Sequence, residues 1–173
     1  DGKQSLFAAH GVLACIAWGI LVPLAIGSSA ARDWIPGEGV WFKIHRAFNT
    51  FVLILTIIVF GLAVSAIQQT GGDNPQHFES SAGANNKHRT IGLVVFILVI
   101  IQALGGMFRP HLPPKPEGEE ENAEGAAKPE KSTARKMFEV VHPVAGYALL
   151  GMSWYQCHSG LTLYAGRFNA DNL

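Results

Sequence analysis

The residues best placed to do chemistry in this chain are histidines. There are seven, and four share an address. His10, His45, His88 and His142 each lie within about a turn of the N-terminal end of a different apolar segment. Ionisable side chains at membrane depth are costly and mark ligand sites or pathways by default. A single one is accounted for by an interfacial hydrogen bond. Four in equivalent places, one per segment, point to a shared task. Successive helices joined by short loops alternate in direction, so the first and third start in one layer and the second and fourth in the other. That pairs His10 with His88 and His45 with His142. Facing helices of a bundle can hold a cofactor between two side chains. A haem iron takes one axial ligand on each face of its ring. Two layers predict two haems.

Competing metal chemistry fits less well. Zinc takes three or four converging protein ligands, not two per layer. Covalent haem attachment needs C-x-x-C-H, and Trp154-Tyr155-Gln156-Cys157-His158 offers one cysteine. The haems are therefore expected to be b-type. A ring lying against a helix needs a shallow surface one turn from its ligand. At i+4 stand Ala14, Asn49, Gly92 and Gly146, although small residues also serve close packing in membrane helices. Arg46 and Arg89 directly follow ligand histidines and are candidates to bind propionates. Gln102 is a candidate helix–helix hydrogen bonder or inner-pocket residue. His158 is the competing outer ligand, and His77 and His111 are expected in solvent-exposed loops. An iron held by two imidazoles has no open position and passes single electrons. From His10 the first helix runs on to Ile26, about 24 Å at about 1.5 Å per residue. The irons are then on the order of 20 Å apart.

The elements that must position these residues follow from the charges. Asp, Glu, Lys and Arg make up 15% of the chain, against about 25% in soluble domains. None occurs in Gln4–Ala31, Ala47–Gly72, Thr90–Phe108 or Val140–Gly166. A soluble 18.6 kDa domain cannot bury so many uncharged residues in one core. Each run approaches or exceeds the roughly 20 residues a bilayer span needs. The expectation is an all-α integral membrane protein, an up-and-down four-transmembrane-helix bundle. Its helices lie at about 6–26, 41–67, 88–108 and 138–158, within a single domain over 1–173. Pro36 and Gly37 separate the first two spans; Gly71, Gly72 and Pro75 follow the second; Pro110, Pro113, Pro114 and Pro116 follow the third. Residues 109–136, rich in proline and in charges of both signs, are expected to form a mobile solvated loop. The N-terminal run, with His10, Trp18 and Pro23, reads as a span and not as a leader. Trp18, Trp34, Trp41 and Trp154 read as packing and belt residues.

Lysine and arginine counting orients the bundle. Lys3, Lys87, Arg89 and Arg167 fall on the face of the N-terminus; nine basic residues, among them Lys43, Arg46, Arg109 and Arg135, fall on the other. The second face is expected to be cytoplasmic and the N-terminus outer or luminal, in the plasma membrane or an endomembrane. Zero net charge without a basic stripe argues against nucleic acid as a partner. Cys15 and Cys157, both within apolar runs, make neither a disulfide framework nor a thiolate metal site.

Taken together, His10-Gly11, Ala17-Trp18-Gly19, Pro23 and Arg32 resemble the first core helix of the cytochrome b561 superfamily. Trp41-Phe42-x-x-His45 is similar to the start of its second, His88-x-x-x-Gly92 with Gln102 and Arg109-Pro110 to its third, and His142-x-x-x-Gly146 with Gly160-Leu161 to its fourth. The similarity covers about residues 6–165. It is nearest to the ferric-reductase-like b561 domains that follow an extracellular DOMON domain. The resemblance implies two b haems paired as above. It also implies electron flow from a cytoplasmic donor such as ascorbate to ferric iron, monodehydroascorbate or a partner redox domain outside. The chain lacks the Ser-Leu-His-Ser-Trp type segment of ascorbate-specific members, which leaves the donor open. Whether an N-terminal DOMON-type domain precedes Asp1, and whether the further helix usual in that family follows, stays open. Membrane lipid is the expected surrounding, with a homodimer or larger redox complex as open assemblies. Two other classes stay open: a haem-free structural or assembly subunit, and a quinone-linked haem anchor of a dehydrogenase.

Overall fold

The computed structural model describes residues 2–70, 84–110 and 130–168. Among them all regular structure is helical. Helix α1 (Gly2–Ile16), a π-turn (Ala17–Leu21) and α2 (Val22–Ala30) follow one another without a break; α3 is Val40–Thr70, α4 is Ala84–Met107 and α5 is Thr133–Phe168. The reversal before α3 uses Gly37 and Gly39 at φ 95° and 67°, a region that favours glycine. The α1–α2 rod packs on α3, α4 on α5, α1 on α5, and α3 on α4.

The helices outrun the apolar stretches that signal them. α5 starts at Thr133, so the last residues of the stretch read as loop are helical. The cause is a cap: the Ser132 hydroxyl accepts a hydrogen bond from the Arg135 amide at 3.2 Å, as an N-cap serine does. Arg135 then donates to Glu139 at 2.8 Å and to the Pro110 carbonyl at 2.9 Å, tying the start of α5 to the end of α4. Residues 111–129, most of the expected mobile loop and His111 with it, lie outside the described residues, as do Gly71, Gly72, Pro75 and His77.

Burial is inverted relative to a water-soluble protein. The core is a thin seam of Ala17, Trp18, Val22, Val52, Leu55, Val95, Val99 and Leu149. Ile20, Leu24, Phe51, Ile54, Ile57, Val94, Ile97 and Ile101 face outward, while the serines Ser28 and Ser153 are buried. An apolar surface this continuous is a liability in water and the ordinary condition of helices in lipid. Among the described residues three helices are long and apolar enough to cross a membrane: Gly2–Ala30, Val40–Thr70 and Lys87–Met107. α5 is the longest of all but more polar, with Arg135, Lys136, Glu139, His142, Gln156 and His158 along it.

Candidate functional site

The folded chain brings His10 of α1 against His88 of α4, and His45 of α3 against His142 of α5. Ring centroids are 6.3 Å apart in both pairs, with planes 75° apart in the first and 67° in the second. All four side chains are half-buried. Edge-to-face rings in simple contact also fall in this range. The separation equally suits two imidazoles facing across one metal. A metal–nitrogen bond of about 2.0–2.1 Å, with the ring centre about 1.1 Å behind the nitrogen, gives roughly 6.3 Å across.

The ring nitrogens favour the second use. His10 Nδ1 lies 2.9 Å from the Val59 carbonyl and His45 Nδ1 lies 2.9 Å from the Ala25 carbonyl. A carbonyl only accepts, so Nδ1 carries the proton in both, and the lone pair is left on Nε2. His88 Nδ1 lies 2.9 Å from the Ser159 hydroxyl, which itself donates to the Gln156 carbonyl. Ser159 therefore also receives an Nδ1 proton. A backbone or hydroxyl acceptor on the distal nitrogen is the usual support of a metal-binding histidine. At the position in α4 equivalent to Ser159 stands Gly105, which has no hydroxyl. His142 stacks on Phe138 instead, with centroids 4.8 Å apart and planes 18° apart.

The α4–α5 contact has its own rule. Gln102 donates from Nε2 to the His142 carbonyl, and Gln156 from Nε2 to the His88 carbonyl, both at 2.7 Å. Each glutamine occupies a glycine-cleared slot: a Cβ on Gly92 would stand 2.9 Å from the Gln156 amide, and one on Gly146 3.3 Å from that of Gln102. Gly160 and Gly106 clear the rings themselves, at 3.0 Å to His88 Cε1 and 3.4 Å to His142 Cε1. The sequence signal for all of this is a motif present twice. H-x3-G-x9-Q-x3-G runs from His88 to Gly106 and again from His142 to Gly160. Reading single histidines misses it, and with it Gln156, Ser159, Gly106 and Phe138.

The other candidate residues are distributed as follows. A cavity of about 1140 Å³ is lined by His10, His88, Arg89, Gly92 and Ala14, and one of about 660 Å³ lies beside His142, Gln102 and Phe138. The larger retains two buried hydroxyls with no hydrogen-bond partner, Thr56 and Ser153. Gly146 faces Gln102. Asn49 donates back to the His45 carbonyl at 2.7 Å, so its amide serves its own helix. Arg46 is exposed and lies 6.0 Å from the Phe42 ring, with Arg109 over the same ring at 5.0 Å. Burial and the neighbouring Arg135 charge hold Arg109 below the ordinary arginine range, the mark of a crowded cationic end. His158 is exposed. Among the described residues no three His, Cys, Asp or Glu side chains converge. The donor set, with Nε2 left free on His10, His45 and His88 and apolar cavities beside His10, His88 and His142, fits a haem.

A cytochrome b561 and DOMON domain-containing protein of Arabidopsis thaliana is 30% identical over 105 residues, 58% of this chain and 24% of its own length. A second one from that plant is 29% identical over 111 residues, 64% of this chain and 25% of its own length. Ferric-chelate reductase 1 of Homo sapiens is 31% identical over 115 residues, 62% of this chain and 17% of its own length. The chain spans about a quarter or less of the length of these relatives. No family model and no solved structure matches it.

Proposed function

From the kinship of this chain with the cytochrome b561 and DOMON domain-containing proteins, we propose that it is a b561-type transmembrane electron conduit. In this reading α5 is the fourth span, and residues 1–173 form one four-helix domain. His10 with His88, and His45 with His142, hold one haem b each. A haem held in this way supplies one-electron transfer. The protein's part is to fix the imidazoles, keep their Nε2 atoms unprotonated, and exclude water with apolar helices. Arg89 and Arg46, each next in sequence to a histidine, neutralise propionates in this reading; Gly92 and Gly146 keep the α4–α5 contact close, and Asn49 stiffens α3 below His45. The N-terminus is outer or luminal. The cationic end with Arg46, Arg109 and Arg135 is cytoplasmic, where it favours an anionic donor such as ascorbate. The acceptor is ferric iron, monodehydroascorbate or a DOMON-type domain, in keeping with the names of the relatives.

One observation carries this reading: two histidine pairs of equal separation, on four different helices, with the Nδ1 atoms of His10, His45 and His88 engaged. The test is the visible spectrum and haem content of the purified chain. Two low-spin b haems per chain are expected, reducible by ascorbate or a similar donor. A preparation that is colourless after reconstitution with haem would overturn it in favour of a scaffold role.

A further inference from the structure

We propose that Trp154 of α5 is a positioning residue for His45. It holds open the π-turn of the first rod, and that turn sets the register of the carbonyl that orients the His45 ring. The proposal deepens the haem reading and rests on it.

The argument begins with one proline. In the π-turn the Val22 amide reaches back five residues to the Ala17 carbonyl, not four to Trp18. Pro23 has no N–H. The Trp18 carbonyl is thus left without its α-helical donor, Val22, and without its π-helical donor, residue 23. At membrane depth water does not replace them. Trp154 does: its indole Nε1 donates to the Trp18 carbonyl at 3.0 Å.

The turn has a measurable consequence along the rod. His45 and Val59 are 14 residues apart on α3, and Val59 serves His10. His10 and Ala25 are 15 apart on the α1–α2 rod, and Ala25 serves His45. Both contacts are 2.9 Å long and run between the same two antiparallel elements. Equal contacts require equal spans, and a π-turn absorbs one extra residue. A regular α-helix of this sequence would turn residue 25 by about 100° and bring Leu24 to its place. Ala25 there has no exposed surface, whereas Leu24 faces outward, so the larger side chain does not fit against His45. The Ala25 carbonyl also accepts from the Ser28 hydroxyl at 2.8 Å, a second contact tied to the same register.

The test uses the full chain loaded with haem, with the two centres assigned by His45→Ala and His10→Ala. Trp154→Phe keeps the ring and removes the donor. It is expected to shift the midpoint potential and low-spin EPR signature of the His45 centre while leaving the His10 centre unchanged. Deleting Gly19, around which an added Cβ would meet nothing, converts the 15-residue interval to 14. In the Trp154→Phe background this deletion is expected to restore the His45 signature. An unaltered His45 centre in Trp154→Phe, an equal shift of both centres, or no rescue would overturn the proposal. If Trp154→Phe does not fold, the Gly19 deletion alone is read instead: retention of the His45 signature supports the register argument and its loss overturns it. The 15N shift of His45 Nδ1 in the haem-free chain reports the same hydrogen bond. It separates failure of this inference from failure of haem binding.

Discussion

The side chain of Gln156 and the backbone carbonyl of His88 are joined by a 2.7 Å hydrogen bond, and Gln102 makes the same bond to His142. Each helix of the α4–α5 pair therefore holds the histidine-bearing turn of the other. Interhelical hydrogen bonds in membrane proteins contribute about 0.6 kcal/mol on average and up to about 1.7 kcal/mol. Gln156→Met and Gln102→Met are each expected to cost about that much in a denaturing-detergent titration. Gly92→Ala puts a methyl 2.9 Å from the Gln156 amide, displacing the same bond. Its cost and that of Gln156→Met are expected to be less than additive. Full additivity would mean that the glycine acts elsewhere.

The two histidine rings on these helices differ in how tightly a glycine meets them. A methyl at Gly160 would stand 3.0 Å from His88 Cε1, and one at Gly106 3.4 Å from His142 Cε1. Gly160→Ala should tilt the His88 ring and, on the proposed reading, broaden or shift the spectrum of the His10–His88 centre. Gly106→Ala should leave the inner centre nearly unchanged. Equal tolerance at both positions would contradict the geometry.

Loss of a ligand should be confined to its layer. His10→Ala or His88→Ala is expected to halve the haem content, and so is His45→Ala or His142→Ala, with the surviving centre the other one in each case. Pyridine haemochrome assay and redox titration read both quantities. A protein that keeps two haems after His88→Ala would refute the pairing.

Ser132 is expected to matter only locally. Removing its hydroxyl in Ser132→Ala leaves the Arg135 amide without its cap, a loss of about 1 kcal/mol. Hydrogen exchange should quicken at Ala134, Arg135 and Lys136 while the amides around His142 stay protected. Quickening that spreads to His142 would mean that the cap supports the site itself.

The pairing of the histidines was legible before any coordinates because it depends on topology alone. A residue near the start of each of four alternating apolar segments has only one partner in its layer. The supports of the rings were less legible, since carbonyl partners such as Val59 and Ala25 are main-chain groups and carry no residue-type signal. Pro23 alone gave no sign of the π-turn, which is seen in the Val22–Ala17 hydrogen bond and in the unequal His10–Ala25 and His45–Val59 intervals. Gln156 was hidden among neighbours that read as a failed C-x-x-C-H, and it is recognisable through its equivalence with Gln102. The start of α5 was misplaced because its first turn is held by charge and a hydroxyl, neither of which has a hydrophobic period.

The 14-residue interval recurs from His45 to Val59, from His88 to Gln102 and from His142 to Gln156. It is close to four turns, about 21 Å of rise, with a histidine at one mark and a hydrogen-bond partner of a neighbouring histidine, to its ring or its carbonyl, at the other. Between the marks one aliphatic residue can stand in for another of similar volume, since little but lipid or a thin seam reads their identity. Length has no such freedom. One residue added or lost inside a regular interval rotates one mark away from the other, and the fault appears at both ends of the helices at once. The interiors of these segments are therefore free to drift in composition but fixed in count, except at the π-turn, where a unit of length can be taken up or released.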